Sequence, residues 1–169
     1  MTATSPPTAK TEPPALPSPS PRRLIALGAG VLGLCCAGLA ISLSQHLPSG
    51  GTHAVPAGQV WHGFIAGGGT ATSPPLPIMV LFAIAIAASA SRRWAGTLGT
   101  VAVAIISIAF ILGISTEPLT HQMLSTHPDP LKTPLIVLAL LTTTATALAA
   151  ALHLRQRLTA RHPRSSARQ

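Results

Sequence analysis

The chain lacks charge from the end of its N-terminal tail to its middle. Between Leu24 and Ser91 there is no Asp, Glu, Lys or Arg, and charged residues make up 8% of the sequence against 47% hydrophobic residues. An ordinary soluble domain carries about 25% charged residues, which keep its surface hydrated. So little charge argues against a soluble globular domain and indicates an integral membrane protein.

Other residue types are missing as well. Asparagine is absent, so the chain has no N-glycosylation sequon, and tyrosine is absent too. The two cysteines, Cys35 and Cys36, are adjacent, and therefore supply neither a disulfide framework nor a metal-binding CxxC spacing. The net charge of +8 is not interleaved with aromatic residues. This pattern argues against nucleic-acid binding.

Motifs that carry catalysis are also lacking. The sequence contains no GxSxG, Walker A, HExxH or paired-carboxylate pattern. No ionisable residue lies deep in an apolar run, although pumps and ion-coupled carriers usually need one. We therefore expect neither an enzyme nor a cofactor.

Four apolar runs are present, and they predict four transmembrane helices over residues 24–44, 76–91, 94–114 and 134–154. About 20 helical residues cross the hydrocarbon core of about 30 Å. The second run is the shortest, at about 24 Å, so it needs extension through the preceding prolines or local bilayer thinning. The expected fold is an all-α integral membrane bundle over residues 22–157.

The remaining segments are polar or rich in proline and glycine. Residues 1–21 hold seven prolines and predict a disordered tail, and residues 158–169 form a basic tail. In the loop of residues 45–75, the apolar and aromatic stretch 60–65 predicts a short interfacial helix. The loop of residues 115–133 contains three prolines and is followed by a fourth, Pro134. These prolines are expected to keep the loop from forming one long helix.

Arginine placement predicts the orientation. With four spans, all nine arginines fall on one side, namely in both tails and in the Arg92-Arg93 turn. The other side then holds Lys132 with Glu117 and Asp129. This matches the positive-inside rule and predicts that both termini are cytoplasmic. The richness in Ala, Gly, Pro and Arg is typical of a high-GC bacterium, so we expect the inner membrane.

Small residues in the first span recur at four-residue spacing. Gly30 and Gly33 belong to the pairs Ala26/Gly30, Ala29/Gly33 and Gly33/Ala37. Small residues at this spacing allow two helices in lipid to approach closely. The pattern predicts close packing against a neighbouring helix, which belongs to the same bundle, to a membrane-protein partner or to a second copy of the chain.

Five of the seven histidines fall in the two loops opposite the arginines. Imidazole suits copper or zinc, so His62 and His121 with Glu117 are the candidate metal ligands. The alternative is that these histidines are solvated loop residues and that Glu117 begins a proline turn. Glu117 could also accept a hydrogen bond from the end of another span, or hold a cation.

The leading functional hypothesis is a non-enzymatic accessory or interaction protein of the cytoplasmic membrane, in contact with the lipid bilayer and not with nucleic acid. Copper or zinc handling through the histidine-bearing loops is the alternative.

Overall fold

The computed structural model describes residues 21–50, 53–91, 93–125 and 128–161. Six helices lie along this part of the chain, and it contains no β-strand: α1 (Pro21–Ser44), α2 (Ala57–Ala66), α3 (Leu76–Ser89), α4 (Trp94–Thr116), α5 (Pro118–Ser125) and α6 (Lys132–Arg161). The all-α prediction is therefore confirmed. Both predicted tails lie outside the described residues, except for Pro21 and residues 158–161.

Three of these helices, α1, α4 and α6, are long and apolar enough to cross a membrane. The fourth apolar helix, α3, has 14 residues and ends at Ser89, two residues before the predicted end of the run. Pro77 lies in its first turn, where a missing N–H costs no hydrogen bond. At 1.5 Å per residue, α3 is about 21 Å long.

The four apolar helices form a closed ring. Helix α1 packs against α3 and α6, and α4 packs against the same two helices, so α3 and α6 occupy diagonal corners. The short helices lie at the margin of the ring, α2 against α1 and α3, and α5 against α4 and α6. In the interior, the Phe82 and Phe110 rings lie 5.3 Å apart between centroids. Both rings are buried.

Glycines set the spacing between α3 and its two neighbours. A methyl group on Gly28 of α1 would meet the end of the Ile86 side chain. On Gly99 of α4, a methyl group would lie 2.6 Å from the Ser89 nitrogen and 2.8 Å from the Ala85 oxygen. These backbone atoms cannot move aside like a flexible side chain. Gly99 therefore permits the close approach of α3 and α4.

The outer surface of the ring is apolar. Ile84, Ile105 and Leu141, on three different helices, are 60%, 61% and 63% exposed. A contiguous apolar surface of this kind marks contact with lipid or with another protein. The ring has two ends, which we call the turn end (residues 89–96 with the last turns of α6) and the loop end (residues 44–76 and 116–132).

Candidate functional site

Glu117 connects the two loops of the loop end. It is the half-buried residue that follows α4, and its Oε1 accepts a hydrogen bond of 2.7 Å from the Gly50 N–H. Gly50 has φ +66°, a left-handed conformation that glycine adopts without strain. Glu117 thus accepts a bond from the chain just beyond the end of another span, one of the roles that the sequence suggested.

The candidate metal ligands are not brought together. His62 is exposed on α2 and His121 is exposed on α5. Since α2 packs against α1 and α3, while α5 packs against α4 and α6, the two helices do not touch. Among the residues that the structure describes, no group of three or more His, Cys, Asp or Glu side chains could hold a metal ion. Residue 127, a histidine of the second loop, lies outside them.

Residues 67–75, between α2 and α3, descend into the bundle. The Thr72 hydroxyl donates to the Gly38 carbonyl at 2.6 Å and receives a hydrogen bond of 2.6 Å from the Ser42 hydroxyl. Gly38 lies six residues before the end of α1, or about 9 Å along its axis. Thr70 and Ser73 are buried, and the Thr70 N–H donates to the Ser73 carbonyl at 2.8 Å. These polar groups of the irregular segment are paired within the protein, as buried backbone requires.

Beneath this segment lies a cavity of about 310 Å³, formed by α1, α4, α6, the first turn of α3 and residues of both loops. Apolar side chains make most of its wall, chiefly Val31, Leu34, Ile78, Phe110, Leu135 and Ile136. Its polar lining includes Cys35, Ser49, Thr70, Glu117, Thr120 and Thr143. The cavity thus combines an apolar body with one carboxylate.

At the turn end, Arg157 of α6 contacts the chain around the end of α3. Its Nη2 donates to the Ser89 and Ser91 carbonyls at 2.8 and 2.9 Å, and its Nε donates to the His153 Nε2 at 2.9 Å. A helix leaves its last carbonyls without intrahelical partners and carries partial negative charge there. The guanidinium satisfies one such carbonyl of α3 and places positive charge beside it. Because Gly96 has no side chain, the Arg157 guanidinium can lie directly against the start of α4.

Of the residues predicted from orientation and packing signals, those that the structure describes are exposed. Arg93 is exposed at the N-cap of α4, and Arg92 lies outside the described residues. Gly30 and Gly33 are exposed, and a methyl group on Gly33 would meet nothing within 4 Å. Within the chain, α1 packs through Gly28 instead. A methyl group on Gly30 would lie 3.6 Å from Cγ2 of Thr142 on α6, so this face borders α6 at Gly30 and is open at Gly33.

The cavity and the Arg157 contact were not foreseen from the sequence. From the sequence, Arg157 is expected to report orientation and to lie with the other C-terminal arginines at the membrane surface. His153 and Arg157 are four residues apart and so share one face of α6. A histidine and an arginine on the same face of an otherwise apolar helix indicate a polar contact, and this pattern could have predicted the Arg157 contact from the sequence.

No protein-family model, no curated protein and no solved structure matches this chain.

Proposed function

We propose that the chain is a four-span integral protein of a bacterial cytoplasmic membrane, with both termini in the cytoplasm. Its role is that of a non-enzymatic accessory or interaction protein, which binds a membrane-protein partner or a second copy of itself.

The observation that carries the four-span arrangement is how the short helix α3 fits into the ring. Its C-terminal end lies beside Arg157, near the arginine-bearing end of α6. Its N-terminal end follows the descending segment, which is bonded to α1 about 9 Å below the end of that helix. That depth, added to the 21 Å of α3, is about the 30 Å thickness of a hydrocarbon core. Residues 67–75 thus supply the length that α3 lacks.

The distribution of charge supports the orientation. Arg22 and Arg23 begin α1 and Arg93 precedes α4, while Arg155 and Arg157 lie near the end of α6. Antiparallel neighbours in the ring place these five arginines at the turn end. Cytoplasmic segments carry the excess of Arg and Lys, so the turn end is the cytoplasmic one.

The outward face of α1 supports the accessory role. Gly30 and Gly33 are exposed although the chain could have packed them inward, and small residues in lipid serve close helix contacts. A protein that binds others through a span needs an outward face of small residues, and Gly33 has nothing within 4 Å of an added methyl group.

Single-cysteine labelling tests the topology. In a Cys35→Ser/Cys36→Ser background, Arg93→Cys reports the turn end and Leu124→Cys, on an exposed residue of α5, reports the loop end. On intact cells an impermeant maleimide should label position 124 only, and position 93 should react after permeabilisation. Labelling of position 93 from outside would rule out the proposed orientation. Resistance of the protein to carbonate extraction is the accompanying test of membrane integration.

A further inference from the structure

The cavity at the loop end has the size and composition of a small-molecule site. Its volume of about 310 Å³ is at the lower end of the range for ligand pockets, about 300–1,000 Å³. Such sites are mostly apolar, with a few polar groups that orient the ligand. Here Val31, Leu34 and Phe110 are among the apolar residues, and Glu117 is the charged group.

Two hydroxyl groups in the lining have unfilled hydrogen-bonding capacity. Thr143 and Thr120 are 1% and 5% exposed, and neither hydroxyl has a partner among the described residues. By contrast, the Thr146 hydroxyl, one turn from Thr143 on α6, donates to the Thr142 carbonyl at 2.7 Å. A hydroxyl without a bond inside the protein can donate to or accept from a ligand that reaches it. Thr120 and Thr143 are therefore positioned to bond a molecule in the cavity.

The charge in the lining has one sign. Among the described residues that line the cavity there is no Lys or Arg. The basic side chain nearest in sequence, Lys132, pairs with Asp129 at 3.6 Å, and Asp129 does not line the cavity. Glu117 has the Gly50 N–H as its hydrogen-bond donor, and no cationic side chain among the described residues forms a salt bridge with it. A half-buried carboxylate is stabilised by a counter-charge.

We propose that this cavity binds a small organic cation, an ammonium group on a compact apolar body. Glu117 pairs with the ammonium, the hydroxyl of Thr120, one turn further along the chain, accepts one of its remaining N–H groups, and the apolar body extends between α1, α4 and α6 towards Thr143. The proposal does not depend on the accessory role or on the orientation in the membrane.

Three probes with one apolar body and different charge test it. Full-length protein in lipid nanodiscs is titrated calorimetrically with 4-phenylbutylammonium, 4-phenylbutan-1-ol and 4-phenylbutanoate, and protein-free nanodiscs give the background. The cation should bind about tenfold or more tightly than the alcohol, as expected for one charge-assisted hydrogen bond. The butanoate should bind most weakly. Because this comparison uses the wild-type protein, it does not depend on whether a variant folds.

Variants then locate the site. Glu117→Gln keeps an oxygen for the Gly50 N–H but removes the charge, so it should abolish the advantage of the cation over the alcohol. Asp129→Asn, at a loop-end acid outside the lining, should preserve that advantage. Ala139→Leu fills part of the cavity and should weaken both ligands, whereas Ala145→Leu, on a half-buried alanine of α6 outside the lining, should not. Equal affinity for cation and alcohol, no saturable binding of any probe, or an unchanged preference in Glu117→Gln would overturn the proposal.

Discussion

The Arg157 guanidinium donates a hydrogen bond of 2.8 Å to the Ser89 carbonyl, across 68 positions of the chain. The two residues belong to α6 and α3, which occupy diagonal corners of the ring and have no helix-to-helix packing. One side chain therefore joins two helices that the packing keeps apart. It also fixes the turn between α3 and α4 through the Ser91 carbonyl.

Replacing Arg157 by Gln should destabilise the bundle by about 1–3 kcal/mol, since charge-assisted bonds to two carbonyls are lost. Unfolding in detergent, followed by circular dichroism, measures the change. Arg155→Gln is the matched control, because it removes the same charge from an exposed arginine two residues away. If both variants unfold alike, the net charge of the turn end matters and the Arg157 contact does not.

Gly99→Ala should lower the free energy of unfolding by about 1–3 kcal/mol, the usual cost of overpacking. The added methyl group would meet the Ser89 nitrogen and the Ala85 oxygen, which are backbone atoms of α3. Gly113→Ala, on the same helix, meets nothing within 4 Å. It should be neutral or stabilising, because alanine favours the helix by up to about 1 kcal/mol. A tolerated alanine at position 99 would contradict the close α3–α4 approach.

Asp129 should make the start of α6 sensitive to acid. The N–H groups of Leu131 and Lys132 donate to its carboxylate at 2.9 and 3.1 Å, and these bonds, with the nearby ammonium of Lys132, hold the pKa of Asp129 below its ordinary value of 3.8. A lowered pKa stabilises the folded form above the ordinary value, and this stabilisation is lost as pH falls through the lowered one.

Amide hydrogen exchange at Leu131 and Lys132, corrected for intrinsic rates, should therefore increase once the solution is more acidic than the lowered pKa. In Asp129→Ala the same amides should exchange fast at both neutral and acidic pH. If protection of these amides from exchange in the wild type does not change with pH, the Asp129 carboxylate does not stabilise the start of α6.

Gly30→Leu and Gly33→Leu together should disrupt association with a partner or second copy while the fold of the chain survives. Both positions are exposed. Gly33 has open space where a side chain would extend, and a methyl group on Gly30 would meet the Thr142 side chain at an ordinary contact distance of 3.6 Å. Crosslinking in native membranes and sedimentation in detergent report association. The control is Ala151→Leu, an equally outward small residue on α6. If the control and the double variant associate to the same extent, the Gly30/Gly33 face has no role in binding.

Arg92→Glu with Arg93→Glu should leave α3 uninserted in part of the population, so that the turn stays outside and α4 crosses towards the cytoplasm. The change removes two positive charges from the turn and adds two negative ones, which reverses the local orientation signal. Cysteine labelling at position 124 then shows a fraction protected from outside. Arg22→Gln with Arg23→Gln serves for comparison, since it removes charge without adding the opposite sign. Complete and correctly oriented insertion of the Glu variant would show that other signals fix the topology.

Features that depend on local sequence were predictable. The runs at residues 24–44, 94–114 and 134–154 lie within α1, α4 and α6, because apolar length is a property of the run itself. The short helix expected around residues 60–65 lies within α2. Helix α5 was not expected, since the prolines were regarded only as helix breakers. Pro118 is instead its first residue, a position that proline favours.

Features that join distant residues were not predictable. The Thr72–Gly38 bond lies between residues 34 positions apart, and the Arg157–Ser89 bond spans twice that separation. Hydropathy contains no information on either. The cavity has the same origin, because its walls come from three helices that meet only in the folded chain. Glu117 was chosen as a candidate for its chemistry, and the fold supplied its partner, Gly50.

The bond between Thr72 and Gly38 has a consequence for how the protein is made. A chain leaves the ribosome from its N-terminus, so α1, with its acceptor carbonyl and the Ser42 hydroxyl, is complete before residues 67–75 emerge. The surface that holds the entry to α3 therefore exists before the shortest apolar helix is synthesised. A circular permutant beginning at α3 reverses this order, and α3 would be synthesised before the helix against which its entry segment docks.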